Sequence, residues 1–180
     1  YSATVLDHDP DQIDMLRRFG FKVFYGDATR MDLLETAGAD KASMMVVAID
    51  DMETNLEVVD RVRERFPHLK LYVRARNVSP VYQLRDRGVE VIEREMFEGS
   101  LMLSRRVLEG LGKEPYEAHR IAQTFRRHTL NSMEQVYPVY RDQKKLVSLA
   151  QQGRDELAEM FQRDRTQRKR LRESAMPWGE

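Results

Sequence analysis

The sequence predicts an α/β fold, a doubly wound parallel sheet followed by a helical extension. Five apolar runs of strand length carry the prediction, at Ala3 to Leu6, Val23 to Tyr25, Met44 to Ile49, Leu71 to Val73 and Val89 to Ile92. Helical patterns of crossover length fill the gaps, and strands alternating with helices at that spacing form parallel βαβ units. After about residue 95 the strand signal stops and only helical periodicity continues.

The first run ends at Asp7 and is followed by Asp9 and Pro10, an N-cap with proline at the first helical position. Ile13, Leu16 and Phe19 then lie at helical spacing, and Gly20 ends the pattern. The second run leads into Gly26, Asp27, Ala28 and Thr29, with a helix starting near Met31. The third run ends in Ala48, Ile49, Asp50 and Asp51. Behind it Leu56, Val59, Val62 and Phe66 make one apolar stripe, opposite a charged surface of Glu53, Glu57, Asp60, Arg61, Arg63 and Arg65. Pro67 stops that helix.

Beyond the last strand run, Met96, Phe97, Leu101, Leu103, Val107, Leu108 and Leu111 mark a helix closed by Gly110 and Gly112. Pro115 opens another that runs to about Tyr137, where Pro138 breaks it. A last pattern, Leu146, Leu149, Leu157 and Phe161, continues into Arg163 to Arg172, where six of ten residues are Lys or Arg. Helices this charged are expected to pack on the front domain or on a second copy of it rather than to form a core alone.

An apolar run ending in an acid is how a Rossmann-like domain looks at the tip of its second strand, where a carboxylate accepts hydrogen bonds from ribose hydroxyls. Asp7 fits that position; a helix cap or a solvated strand-end acid is the alternative. The strand and glycine-rich turn that normally precede such an acid by about 20 residues have no counterpart before Asp7. The chain is therefore expected to be part of a longer polypeptide. In the strand order of this fold the missing first strand lies between the run ending at Asp7 and the run from Met44, and without it both neighbours expose ladder edges.

Two further strand ends carry candidate ligand-binding residues. Gly26 to Arg30 closes the second run, where glycine permits close backbone approach to a ligand, although Gly26-Asp27 also makes an ordinary turn and Thr29 is a candidate helix cap. Asp50 and Asp51 close the third run and read equally well as helix-capping acids. Arg94 suits a carboxylate ligand, since guanidinium binds carboxylate as a planar fork, or an ion-pair network with Glu93, Glu95 and Glu98. Phe19, on its residue pattern alone, reads as core.

Other classes of chemistry find no support. No run approaches the roughly 18 apolar residues of a membrane span. The absence of cysteine excludes disulfides and thiolate chemistry within the chain. His8, His68, His119 and His128 lack the spacing of zinc ligands, and no nucleophile stands with a base. Residues 1–100 hold 14 basic and 19 acidic side chains against 16 and 11 in 101–180, so the front is acidic and the back basic. Asp164 and Glu173 interrupt the basic tail, and nucleic acid is not expected as a partner.

Several strings together resemble a known family. Val5 to Pro10 (VLDHDP), Val23 to Leu34 (VFYGDATRMDLL), Ala48 to Asp51 (AIDD) with Thr54 to Leu56 (TNL), Phe97 to Ser100 (FEGS), Arg74 to Arg76 (RAR) and Phe125 to Arg127 (FRR) are similar to the KTN/RCK regulatory domain of bacterial glutathione-gated potassium efflux (Kef) systems. The resemblance runs from residue 3 to about 137 and implies a non-catalytic domain on the cytoplasmic face of the bacterial inner membrane. It further implies attachment to an upstream membrane antiporter domain, a homodimer, and AMP or NAD(H) in the sheet crevice. Glutathione (inhibitory) and glutathione adducts (activating) are implied at the dimer interface, with an ancillary oxidoreductase as a further partner.

Carried over residue by residue, Asp7 falls on the ribose acid with His8 beside it, and Asp27 and Ala28 on the adenine-side loop. Arg30, Ile49 and Asp50 fall near the same crevice. Phe19 falls on the aromatic that senses bulk on the thiol, and Arg94 on a carboxylate partner. The family's asparagine after the FRR string is replaced by Thr129, with Asn131 two residues later. The expected division is a KTN/RCK nucleotide-binding domain over 1–112, truncated at its N-terminus, and a helical extension with a basic tail over 113–180. The alternative of a different class is the cofactor-binding domain of a soluble NAD-dependent dehydrogenase.

Overall fold

The computed structural model describes residues 2–174. Its elements alternate as the sequence predicts: β1 (Thr4–Asp7), α1 (Pro10–Arg18), β2 (Lys22–Tyr25), α2 (Met31–Ala37), β3 (Met44–Val47), α3 (Met52–Arg65), β4 (Lys70–Ala75), α4 (Val78–Asp86) and β5 (Val91–Arg94). Helices α5 (Phe97–Gly110), α6 (Pro115–Val136) and α7 (Gln143–Ser174) follow, with a short 3-10 turn at Tyr137–Val139 where Pro138 interrupts the helical run. The chain divides into two compact units, residues 1–98 and 99–180.

Every strand pairing is parallel. β1 pairs with β2, and β4 lies between β3 and β5. Among the described residues no strand joins β1 to β3, so the ladder is interrupted at the position the sequence assigns to a further strand. Two arginines of α3 cross this interruption: Arg61 donates to the Thr29 carbonyl at 3.0 Å, and Arg65 pairs with Glu35 of α2 at 3.2 Å.

Helix starts follow from local chemistry. Asp9 accepts the Asp11 amide at 2.9 Å and the Gln12 amide at 3.5 Å, while Pro10 occupies a position whose missing N–H costs nothing. Asp51 caps α3 through the amide of Thr54 at 2.8 Å and its hydroxyl at 2.6 Å. α2 ends at Gly38, whose φ of 101° is the left-handed conformation that glycine adopts without a Cβ penalty.

Much of the core of the first unit lies on one face of the three-stranded sheet, with Ile13 of α1, Val23 of β2 and Leu34 of α2 also buried. Val47 stands opposite Val73, and both are buried together with Leu71 and Ala75. α3 contributes Val58, Val59 and Val62 without exposure, and α4 contributes Leu84. The alternate positions face the other way, as the two-residue period of a strand requires; Met44 and Val46 there are exposed, Val46 at 69%. In the second unit Leu101, Ala118, Met133 and Val136 are buried, and Gly153 of α7 lets that helix approach Ser132 and His128 of α6.

Each strand departs from its apolar run by one or two residues, and two of these shifts have a visible cause. The third strand stops at Val47 instead of Ile49, because the carbonyls of Ala48 and Ile49 accept side-chain donors from Arg74 and Asn55 in place of a ladder. The fifth starts at Val91, because Val89 is used to close α4: its amide donates to Leu84 O at 3.1 Å, behind the left-handed Gly88. Most side chains of the basic run after Arg163, and everything beyond Ser174, lie outside the described residues.

Leu84→Ala should lower unfolding stability by about 2–5 kcal/mol, since it deletes a fully enclosed side chain between helix and sheet. The urea midpoint measures this, and a loss comparable to that of a surface substitution would mean that α4 does not pack as described.

Candidate functional site

In an all-parallel sheet the carboxyl ends of the strands share one edge, and their loops gather there. Asp7 ends β1, Gly26 to Thr29 follow β2, Ala48 to Asp51 follow β3, and Glu95 follows β5. The tips of β1 and β2 are tied by the Gly26 amide donating to the Asp7 carbonyl at 2.9 Å.

Asp7 is half-buried, and its Oδ1 accepts the Asp9 amide at 2.9 Å. That bond fixes the carboxylate in an Asx-type turn and leaves Oδ2 without a hydrogen-bond partner among the described residues. Asp7 is thus not the cap of α1, a role taken by Asp9. His8 is exposed, 3.8 Å from the same carboxylate.

Asp27 accepts the Thr29 amide at 2.8 Å. Hydrogen bonds from the Thr29 backbone and then its side chain, with smaller contributions from the charges of Arg61 and His8, hold its carboxyl below the ordinary value of 3.8. Thr29 therefore fastens the loop and does not cap α2, which begins behind Arg30 without a side-chain cap. Ala28 is half-buried within this loop. Gly26 packs tightly against α2: a Cβ there would displace the end of the Leu33 side chain. Arg30 is committed to Asp32 through a two-point pair, Nε at 3.2 Å and Nη2 at 2.6 Å.

The loop after β3 is held by two side chains that sequence reasoning left without a role. Arg74 of β4 donates through Nη2 to the Ala48 carbonyl at 2.8 Å and to the Asp50 carboxylate, and through Nη1 to Glu95 at 3.2 Å. Asn55 of α3, 5% exposed, donates to the carbonyls of Ile49 at 3.1 Å and Arg74 at 3.3 Å. The two acids closing β3 thus separate in role, Asp51 as a cap and Asp50 as an exposed ion-pair partner. The available signals were an arginine directly after an apolar strand run and an asparagine inside an apolar stripe.

The residues associated with a second ligand lie in different elements. Phe19, 72% exposed at the C-terminal end of α1, is not a core residue. The Arg94 guanidinium stacks 3.5 Å above the centroid of the Phe97 ring, while Glu95 turns to Arg74. Thr129 and Asn131 both lie in α6, two residues apart and hence on different faces of the helix. Among the described residues no cluster of His, Asp and Glu could hold a metal ion.

Comparison with known proteins decides the family. Residues 1–94 match the TrkA-N domain, and residues 99–175 match the potassium efflux system KefB C-terminal domain. The chain belongs to the TrkA-N domain family. It is a KTN/RCK domain of the Kef type, and the curated relatives it matches at 50% identity are named as potassium-efflux system proteins. This removes the dehydrogenase alternative. Over 161 residues, 89% of the chain, it is 50% identical to the glutathione-regulated potassium-efflux system protein KefC of Escherichia coli O139:H28 and of Escherichia fergusonii. The chain spans about a quarter, 26%, of the length of those relatives.

Among solved structures, the Shewanella denitrificans Kef CTD in AMP bound form is similar with a TM-score of 0.70 and 37% identity. The match covers 77% of this chain and 84% of that one. The TrkA-N domain of the inner membrane protein ybaL from Escherichia coli shares the fold, with a TM-score of 0.51 and 22% identity over 60% of this chain and 77% of that one. No helix among the described residues is long and apolar enough to cross a membrane.

The lowered Asp27 pKa makes a pH-dependent prediction. A depressed folded-state pKa contributes stability that is present above the unfolded value of 3.8 and lost as pH falls through the folded value. Asp27→Asn should therefore be less stable than wild type at neutral pH, with the difference shrinking as pH drops below 3.8. Urea midpoints against pH measure it, and a constant difference across the range would sink the assignment.

Proposed function

We propose that this chain is the cytoplasmic regulatory region of a potassium/proton efflux antiporter in the bacterial inner membrane, and that it binds an adenine nucleotide, AMP or NAD(H), at the carboxyl edge of its sheet. The observation that carries the reading is the convergence of acceptor groups there. Asp7 keeps Oδ2 open while Oδ1 is fixed by the Asp9 amide, the arrangement a ribose hydroxyl needs. Asp27 with Ala28 forms the adenine-side loop, and His8, Ile49 and Asp50 border the same edge. Arg30 joins the site only by releasing Asp32. The AMP named for the Shewanella relative supports AMP as the nucleotide.

Gating by glutathione and its adducts is the finer part of the proposal, supported by the name of the KefC relatives. Arg94 would hold a carboxylate and Phe19 would read the bulk on the thiol, with Thr129 and Asn131 supplying the polar contacts that one asparagine makes in the family. Exposed apolar residues of α5, Met102, Leu103 and Val107, followed by Leu111 just beyond it, support a homodimer, because obligate interfaces resemble a core cut in half. An upstream transport domain would receive the signal, and an ancillary oxidoreductase is a further candidate partner.

Saturating AMP should raise the melting temperature of the full-length polypeptide, since ligand at 100 times its Kd stabilises by about 2.7 kcal/mol. Asp7→Ala should abolish the AMP shift and keep the ligand-free fold; an undiminished shift would show that another acid holds the ribose. Replacing Leu103 and Val107 with glutamate, one turn apart on α5, should convert the dimer to a monomer in sedimentation velocity. A monomeric wild type would overturn the interface.

A further inference from the structure

Arg74 opens the RAR string, and the nucleotide reading gives it no role. Its guanidinium is shared between two carboxylates from opposite sides of β4. Asp50 lies after β3 at the proposed nucleotide edge, and Glu95 lies between β5 and α5. One cation serves two anions, so a change at either arm alters what the other receives. The arms differ in access: Asp50 is 77% exposed, whereas the Arg74 and Glu95 side chains are 31% and 36% exposed.

We propose that Arg74 is a positioning residue that couples the nucleotide edge of the sheet to the head of α5 by dividing its guanidinium between Asp50 and Glu95. The inference rests on the nucleotide reading above. A hydroxyl-bearing ligand that donates to Asp50 competes with Arg74 for the same carboxylate. Released there, Arg74 keeps its bond to the Ala48 carbonyl and gives its charge to Glu95. Glu95 is in a position to transmit the change. Its amide is anchored to the Ala75 carbonyl at 3.0 Å, so a new pull on its side chain acts on the turn that enters α5 and not on the strand. That turn is flanked by Arg94 stacked on Phe97. The five donors of a guanidinium in a fixed fork allow three acceptors to be held at once; a lysine ammonium lacks this geometry.

Hydrogen exchange on the full-length polypeptide, with and without saturating AMP, tests the coupling. In wild type AMP should slow exchange in the segment 95–101 by about fivefold or more, the low end of measured site-to-site couplings. Glu95→Ala should keep the AMP shift in melting temperature and the protection around residues 26–29, and lose the protection at 95–101. Arg74→Met should lose it as well, and Arg74→Lys should restore it only in part; a purely structural clip would lower stability in all three and leave the AMP response at 95–101 intact. Protection persisting in Glu95→Ala, or absent from wild type while AMP still raises the melting temperature, would overturn the coupling. No AMP shift in wild type would sink the nucleotide reading itself, and the coupling with it. Glu95→Ala carries the test if Arg74→Met does not fold.

Discussion

Parallel strands cannot be joined by tight turns, so each connection in this domain crosses the sheet as a helix and returns to the same starting edge. The rest of the structure depends on that constraint. It buries α3 and α4 on the face of Val47 and Val73, and it delivers Asp7, Asp27, Asp50 and Glu95 to one edge although 88 residues of sequence separate the first from the last. The buried face supplies stability and the edge supplies chemistry. Asn55 touches both: it sits in the apolar stripe of α3 and ties the loop after β3 to the end of β4.

The edge is built mostly from fixed acceptors. Backbone amides two residues downstream hold Asp7 and Asp27 by one oxygen each, a device that orients a carboxylate without spending a cation on it. The neighbouring cations are engaged by other groups, Arg61 by the Thr29 carbonyl and Arg30 by Asp32. Arg74 is the exception, a guanidinium placed among the acceptors and shared by two of them. Acceptors left open suit a ligand rich in hydroxyl donors, which agrees with a nucleoside.

Much of this architecture was legible in the sequence because its signals are local. A strand run followed by an acid, a proline behind a capping aspartate and an apolar stripe stopped by Pro67 each report a neighbourhood of a few residues. What the sequence did not disclose depends on distant partners. Arg74 and Glu95 are 21 residues apart, and no periodicity relates them. Phe19 lies at helical spacing with Ile13 and Leu16, yet it is exposed because α1 ends at Arg18 and Phe19 is its C-cap. Val89 looked like strand because a buried valine after glycine serves a strand and a helix end equally well.

The interrupted ladder divides the first unit into two blocks, one built on β1 and β2 and the other on β3, β4 and β5. Among the described residues they share no strand-to-strand hydrogen bond, and the arginine contacts of α3 are polar links at the surface. Proteins open locally in cooperative units bounded by such weak seams. Here the seam runs through the proposed nucleotide edge, with Asp7 and Asp27 on one bank and Asp50 on the other. A strand paired with both β1 and β3 would hold the two banks of this edge in one ladder. The stiffness of the crevice is then governed by a single piece of backbone and not by the side chains that face the ligand.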